Sequence, residues 1–372
     1  MKTIPTAEQR DFAASLRALL AAENPIGMVR ALDEPGGDRR TPALWKALAD
    51  AGVFGLAIAE EYGGAGGSLD DLAVFYTEAG RALCPTAVHS SVQAALAVDQ
   101  LGSPDAKARW LPPLASGSVR ATTALWNARD AARVAPALRA EPAAQRWRLN
   151  GTADYVLDAD VADLLVVSAA ADGRTLVFVV DVRDVGVERL DMAGGVRAFM
   201  LRFDNVAAEA ALPGVTALAL RRLANTAVAL GSLDLVGVGQ AVLDRTVDYT
   251  KLRHQFGRPI ASFQAAQHLV ANMHIALAGA RLAAHAAVFW LARGRVATRE
   301  TAVARMHAAT AARLITLDAH QLHGGMGYVT ETDLHLWSER ARLGSTFGGG
   351  PDVAASWLEQ SLHDETAEGE RH

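Results

Sequence analysis

Residues 249–264, YTKLRHQFGRPIASFQ, lie between two long apolar segments and set Arg253, Phe256, Gly257, Phe263 and Gln264 at fixed offsets. The Phe-Gly step interrupts helical period, so the stretch reads as a tight turn joining two helices. An arginine on such a turn presents a rigid, permanently charged fork suited to a pyrophosphate. The aromatic beside it can pack on an adenine or flavin ring. Taken alone, the stretch reads more simply as a helix connector with a solvated arginine.

A second stretch, 320–331, HQLHGGMGYVTE, ends another helical segment with Gly324, Gly325 and Gly327. Glycines there let backbone N–H groups approach a phosphate, and Gln321 can donate to a phosphate or a ribose. Alone, the cluster is an ordinary helix cap. His323 reads as structural, because no second ligand stands at metal-binding spacing.

The chain around them has 372 residues, 51% of them hydrophobic and 21% charged, enough for two or three domains and a large core. A net charge of −5 excludes a nucleic-acid surface, which needs a concentrated basic excess. The single cysteine, Cys84, makes no internal disulfide, which points to the cytosol. The N-terminus lacks the apolar run of a signal peptide. The most apolar segments, 227–243 and 264–293, are broken by Asp234, Gln264, Gln267, His268, Asn272 and His274, so they read as buried helices and not membrane spans.

Three zones follow. Residues 1–117 carry about five short helices, one starting at Ser68 with Asp71 as its capping partner and Leu69, Leu72, Phe75 and Tyr76 as its stripe. Residues 118–215 hold β-rich runs joined by Asn-Gly and Asp-Gly steps, which predict hairpins in a barrel or sandwich. Residues 216–372 hold long helical periods at 218–251, 263–293, 297–323 and 352–363, which predict an antiparallel four-helix bundle. Gly231, Gly237 and Gly239 within the first of these allow close approach by a helix or a ligand.

In this order and separation, the two stretches resemble those of the acyl-CoA dehydrogenase family. LWKALADAGVFGLAIAEEYGG at 44–64 is similar to the family's N-terminal helical domain. The resemblance spans nearly the whole chain. It implies a mainly α fold with a central β-domain, FAD as cofactor and an acyl-CoA thioester as substrate. A carboxylate base takes the α-proton while the β-hydride passes to the flavin. It also implies an FAD shared across a subunit interface, with Arg253, Phe256, Gln264, Gln321, Gly324 and Gly325 reaching over to the neighbour's ADP moiety.

The other half of the family's site is missing. The flavin-contacting signature expected after VRATTALW is replaced by NARDAARVAP, and a Trp-Ile-Ser/Thr strand appears as Tyr155, Val156 and Leu157. The two positions where the family carries its base fall on Gly348 and Ala227. The resemblance therefore implies a hetero-oligomer, similar to the α2β2 acyl-CoA dehydrogenases of steroid side-chain degradation. A related subunit would supply the base, and an electron-transfer flavoprotein is a candidate electron acceptor. Two alternatives stay open. One is a self-sufficient enzyme with its base moved to Asp352, with Glu331 and Glu359 less plausible, although Asp352 after Pro351 reads first as a helix cap. The other is a non-enzymatic scaffold.

Overall fold

A computed structural model describes residues 5–34, 38–143, 146–192, 196–209 and 211–369. Its N-terminal part holds six helices among the described residues, one more than expected. They are α1 (Ala7–Glu23), α2 (Ile26–Asp33), α3 (Pro42–Asp50), α4 (Leu69–Arg81), α5 (Thr86–Leu101) and α6 (Pro104–Ala115). The α4 start is the capping box expected from Ser68 and Asp71: the hydroxyl accepts from the first turn and the carboxylate accepts from the Ser68 N–H. Leu72, Phe75 and Tyr76 of its stripe are buried. Each such side chain contributes roughly 1.5–3 kcal/mol.

The chain then enters a curled sheet of seven strands. These are β1 (Ala121–Ala124), β2 (Leu138–Ala143), β3 (Arg146–Leu157), β4 (Leu164–Ala171), β5 (Arg174–Asp181), β6 (Gly186–Leu190) and β7 (Ala198–Ala208). Asp172 and Gly173, both at positive φ, turn β4 into β5 as the sequence predicts. Asn150 and Gly151 do not make the expected turn. They lie inside β3, where Gly151 sits at φ +125 beside a register shift against β7. An Asn-Gly step serves a bulge as well as a hairpin, and pairing with β2 and β7 on both sides decides for the bulge.

Both β1 and β2 run parallel to β4 along one edge: Ala121–Ala124 against Leu164–Val167, then Leu138 and Arg139 against Ala169 and Ala170. The segment between them, 125–137, leaves the sheet and returns to it.

The C-terminal part is α7 (Ala217–Leu252), a short hairpin of β8 (His254–Gln255) and β9 (Arg258–Pro259), α8 (Gln264–Ala292), α9 (Thr298–His323), α10 (Leu334–Gly344) and α11 (Pro351–Gly369). The expectation of four long segments omits α10, whose Leu334, Trp337 and Ala341 are buried among charged residues that mask their helical spacing. Asp352 is the second residue of α11 and not its cap. Gly237 works as read: a Cβ there would lie 2.0 Å from the Thr77 carbonyl oxygen, and one on Gly80 would lie 2.0 Å from that of Asp234. The backbones of α4 and α7 therefore touch. Gly239 packs on Leu277 and Ile315, while Gly231 meets no neighbour.

By length and composition, α7 and α8 are apolar enough to cross a membrane. The most apolar window of α7 is 83% buried within the fold, whereas that of α8 is only 33% buried.

Candidate functional site

Where the helical parts meet the sheet lies a cavity of about 570 Å³. One wall is a face of α7: Ala227, Gly231 and Asp234, spaced four and three residues apart, align along the helix. The opposite wall is the 125–137 excursion together with the end of β3, including Tyr155 and Leu157. Gly348 closes the floor.

The backbone at Gly348 is built for glycine. It sits at φ +78 and Gly349 at φ +114, a region L side chains rarely enter. A Cβ on Gly348 would also press on Val228 at 3.3 Å. The turn is stitched to the excursion, since Gly348 N–H donates to the Ala128 carbonyl (2.6 Å) and Ala131 N–H to the Gly348 carbonyl (3.0 Å). Trp357 of α11 adds an indole N–H to Asp130 (2.9 Å). The turn at Gly348 and the 125–137 excursion are thus one structural unit.

Two carboxylates line the cavity, and neither is a free base. Asp154 lies at the exposed rim. Asp234 is buried, with both oxygens accepting from Arg340 at 2.9 Å. Burial, the largest single influence, would raise its pKa, but the Arg340 charge, His89 and the Arg340 hydrogen bonds together outweigh it and hold Asp234 below the usual carboxylate range. A base for an α-C–H needs the opposite tuning. Tyr155 stands in the left-handed region (φ 56) at a β3 bulge, with Arg129 over its ring. Thr122, on β1 just before the replaced signature, spends its hydroxyl on the Leu157 carbonyl (2.7 Å).

The six residues expected to reach a neighbour's cofactor line none of this cavity. They cluster at an exposed end of the bundle. Phe256 and Gly257, both at positive φ, form the two-residue turn between β8 and β9. This leaves Phe256 92% exposed beside an exposed Arg253. Gln264 opens α8, Gln321 stands in the last turn of α9, and Gly324 and Gly325 follow it, all exposed. Tyr249 joins the two turns by stacking on buried His323 (4.2 Å between ring centroids) and donating to its carbonyl (3.3 Å). His323 is therefore structural. Asp352, Glu331 and Glu359 are exposed and outside the cavity lining, so the relocated-base alternative finds no support.

The sequence reading passed over four groups of the cavity: His89, Asp234, Arg305 and Arg340. Their one visible signal was an isolated charge in an apolar or alanine-rich run, as at Asp234 and Arg305.

Family models for the acyl-CoA dehydrogenase N-terminal and C-terminal domains match residues 6–118 and 215–362. The fold is that of a flavin-dependent oxidoreductase family acting on acyl-CoA. The relatives make this specific. The acyl-CoA dehydrogenase IpdE2 of Mycolicibacterium smegmatis is 31% identical over 86% of this chain and 88% of its own length. IpdE2 of Mycobacterium tuberculosis is 32% identical over 89% of each. The chain belongs to the acyl-CoA dehydrogenase family. Among solved structures it is similar to the ChsE4-ChsE5 complex of Mycobacterium tuberculosis (TM-score 0.87, 28% identity, 99% of each chain). It is also similar to a variant of the Tcur3481-Tcur3483 steroid ACAD (TM-score 0.88, 29% identity, 97% of this chain and 99% of that one).

FAD is the cofactor of this family, and the two places fit it differently. At the exposed end, a Cβ on Gly257, Gly324 or Gly325 would meet nothing within 4 Å, and Arg253 is free to approach a phosphate. In the chain's own cavity, the Thr122 hydroxyl is already bonded and Leu157 offers no donor. The residues present fit the ADP end of FAD but not a seat for its ring system.

Proposed function

We propose that this chain is the base-lacking subunit of a heteromeric, FAD-dependent acyl-CoA dehydrogenase. It completes the FAD site of a related partner, and the partner contributes the glutamate base and the ring seat. The observation that carries this reading is the separation just described. The elements able to hold an ADP moiety face outward, while the inward cavity has a glycine at the base position.

In this role FAD supplies the hydride acceptor. The chain's own part is to bind and orient: Arg253 neutralises the pyrophosphate, Gln321 and the backbone at Gly324 and Gly325 donate to it, and Phe256 covers a ring face. Ile275, Leu282 and Leu317 stand exposed on α8 and α9, and apolar exposure of that kind marks a surface for a partner. We assign the partner to the same family, giving an α2β2 assembly. The likeness to two complexes supports this, one of them named a steroid ACAD, and makes a steroid-derived acyl-CoA the substrate of first choice. Cytoplasmic location and an electron-transfer flavoprotein as acceptor complete the proposal.

The test is co-expression with an adjacent dehydrogenase-like chain that carries the glutamate and an intact flavin-contacting signature. The expected product is a yellow complex holding one FAD per pair of unlike chains and oxidising an acyl-CoA. A chain that alone binds FAD and turns over acyl-CoA would sink the reading.

A further inference from the structure

The cavity behind Gly348 differs from an emptied active site in its charge. Arg305, on α9, lines it and is 2% exposed. Its Nε donates to the Gly349 carbonyl (2.7 Å) and its Nη2 to the Phe347 carbonyl (2.5 Å). Among the described residues Nη1 donates to nothing, and no carboxylate pairs with the guanidinium. Two neutral carbonyls orient the group without cancelling its charge, and a buried charge of that kind calls for a counter-ion. Burial pushes its pKa down to about 10, with no opposing acid.

A second donor stands on another wall. His89 is 7% exposed, and Arg340 faces its Nδ1 at 3.3 Å. A guanidinium can only donate, so Nδ1 accepts and Nε2 carries the hydrogen. That N–H has no partner, and the nearest acid oxygen, on Asp234, is 3.6 Å away and already engaged by Arg340. That nitrogen has almost no accessible surface and faces Asp234, so Arg305 is the donor open to the cavity, whose one buried acid is spoken for. Its volume suits an organic molecule better than a bare ion, and Leu125, Trp126, Val156 and Val228 give it an apolar lining.

We propose that this cavity is a receptor for a small organic carboxylate, with the oxyanion on Arg305. One free nitrogen and a single uncompensated charge match a monoanion better than a phosphate, which needs more donors. The proposal rests on the reading that the chain carries no base here, since a carboxylate base beside the ligand would repel it.

The test is calorimetric titration of the chain, with whichever partner it co-purifies, using hexanoate, hexanamide and inorganic phosphate. Hexanoate should bind at least ten-fold tighter than hexanamide or phosphate. Arg305→Met should remove at least ten-fold of that affinity and Arg305→Lys less, while the partner's own sites contribute equally to wild type and variant. No binding of hexanoate, equal binding of the amide, phosphate binding as tightly, or unchanged affinity in a folded Arg305→Met would each overturn the proposal. Should Arg305→Met fail to fold, the hexanoate-to-hexanamide ratio of the wild type decides. Because the readout needs neither flavin nor turnover, a complex that holds FAD but ignores carboxylates defeats this inference alone. Carboxylate binding without shared FAD would instead defeat the functional proposal.

Discussion

The two ends of the C-terminal bundle have been treated oppositely. At the Arg253 end, polar and aromatic groups stand exposed on a rigid pair of turns with nothing in this chain to act on. At the Gly348 end, most polar groups are buried or half-buried and turned on one another, Asp234 on Arg340, Thr122 on Leu157, Asp130 on Trp357, with the Arg305 charge left over. A base must be both buried and free, and Asp234 keeps only the first of those properties. The contrast teaches that the cavity's buried acid is neutralised within the fold, whereas the groups at the Arg253 end are left open to solvent.

The largest expected effect tests how tightly the cavity end is locked. Arg340→Met would strand a buried Asp234, at a cost of about 3–5 kcal/mol. Adding Asp234→Leu should recover most of it, as read from denaturation midpoints. A cost under 1 kcal/mol in the single variant would mean that the pair does not hold this wall.

Next comes acid. His89 is buried and its pKa is depressed by that burial to about 4, below the 6.5 of an exposed histidine. Below pH 6.5 the unfolded chain takes the proton first. Stability should therefore fall between about pH 6.5 and pH 4, by up to about 3 kcal/mol. Burial raises the pKa of Asp158, which works in the opposite sense at lower pH. The comparison of wild type with His89→Phe isolates the histidine, and parallel curves over that range would refute its buried neutral state.

The third effect lies at the exposed end. Arg253→Ala should leave folding intact yet cost the complex roughly 10- to 100-fold in FAD affinity, the worth of a charge-assisted contact of about 1.5–3 kcal/mol. Tyr155→Phe in the cavity should leave FAD content unchanged. If FAD responds to Tyr155 and not to Arg253, the contrast is inverted. Smallest is Asp352→Ala, which removes an exposed first-turn acid and should cost about 0.3–1 kcal/mol through the helix dipole, with no change in turnover of the complex.

Much of the fold was legible because it rests on local rules: the Ser68 capping box, the Asp172-Gly173 turn, the helical periods of α7 to α9. The missed elements fail those rules for tertiary reasons. Asn150-Gly151 became a bulge because strands flank it on both sides, and α10 hides its apolar spacing among charges. Gly348 and Ala227, singled out by resemblance, do both line the cavity. What could not be read was pairing. Nothing in the sequence says that Asp234 meets Arg340 across 106 residues, or that Arg305 points its charge at the Gly348 turn.

The parallel seating of β1 and β2 along one edge of β4 has a further consequence. The sheet holds the chain immediately before and after residues 125–137, so its registration is independent of what that excursion contains. The excursion is in effect a cassette, exchangeable without renegotiating the barrel around it. A fold with such a cassette can be split by duplication into a copy that does chemistry and a copy that does not, with both copies still fitting the same assembly.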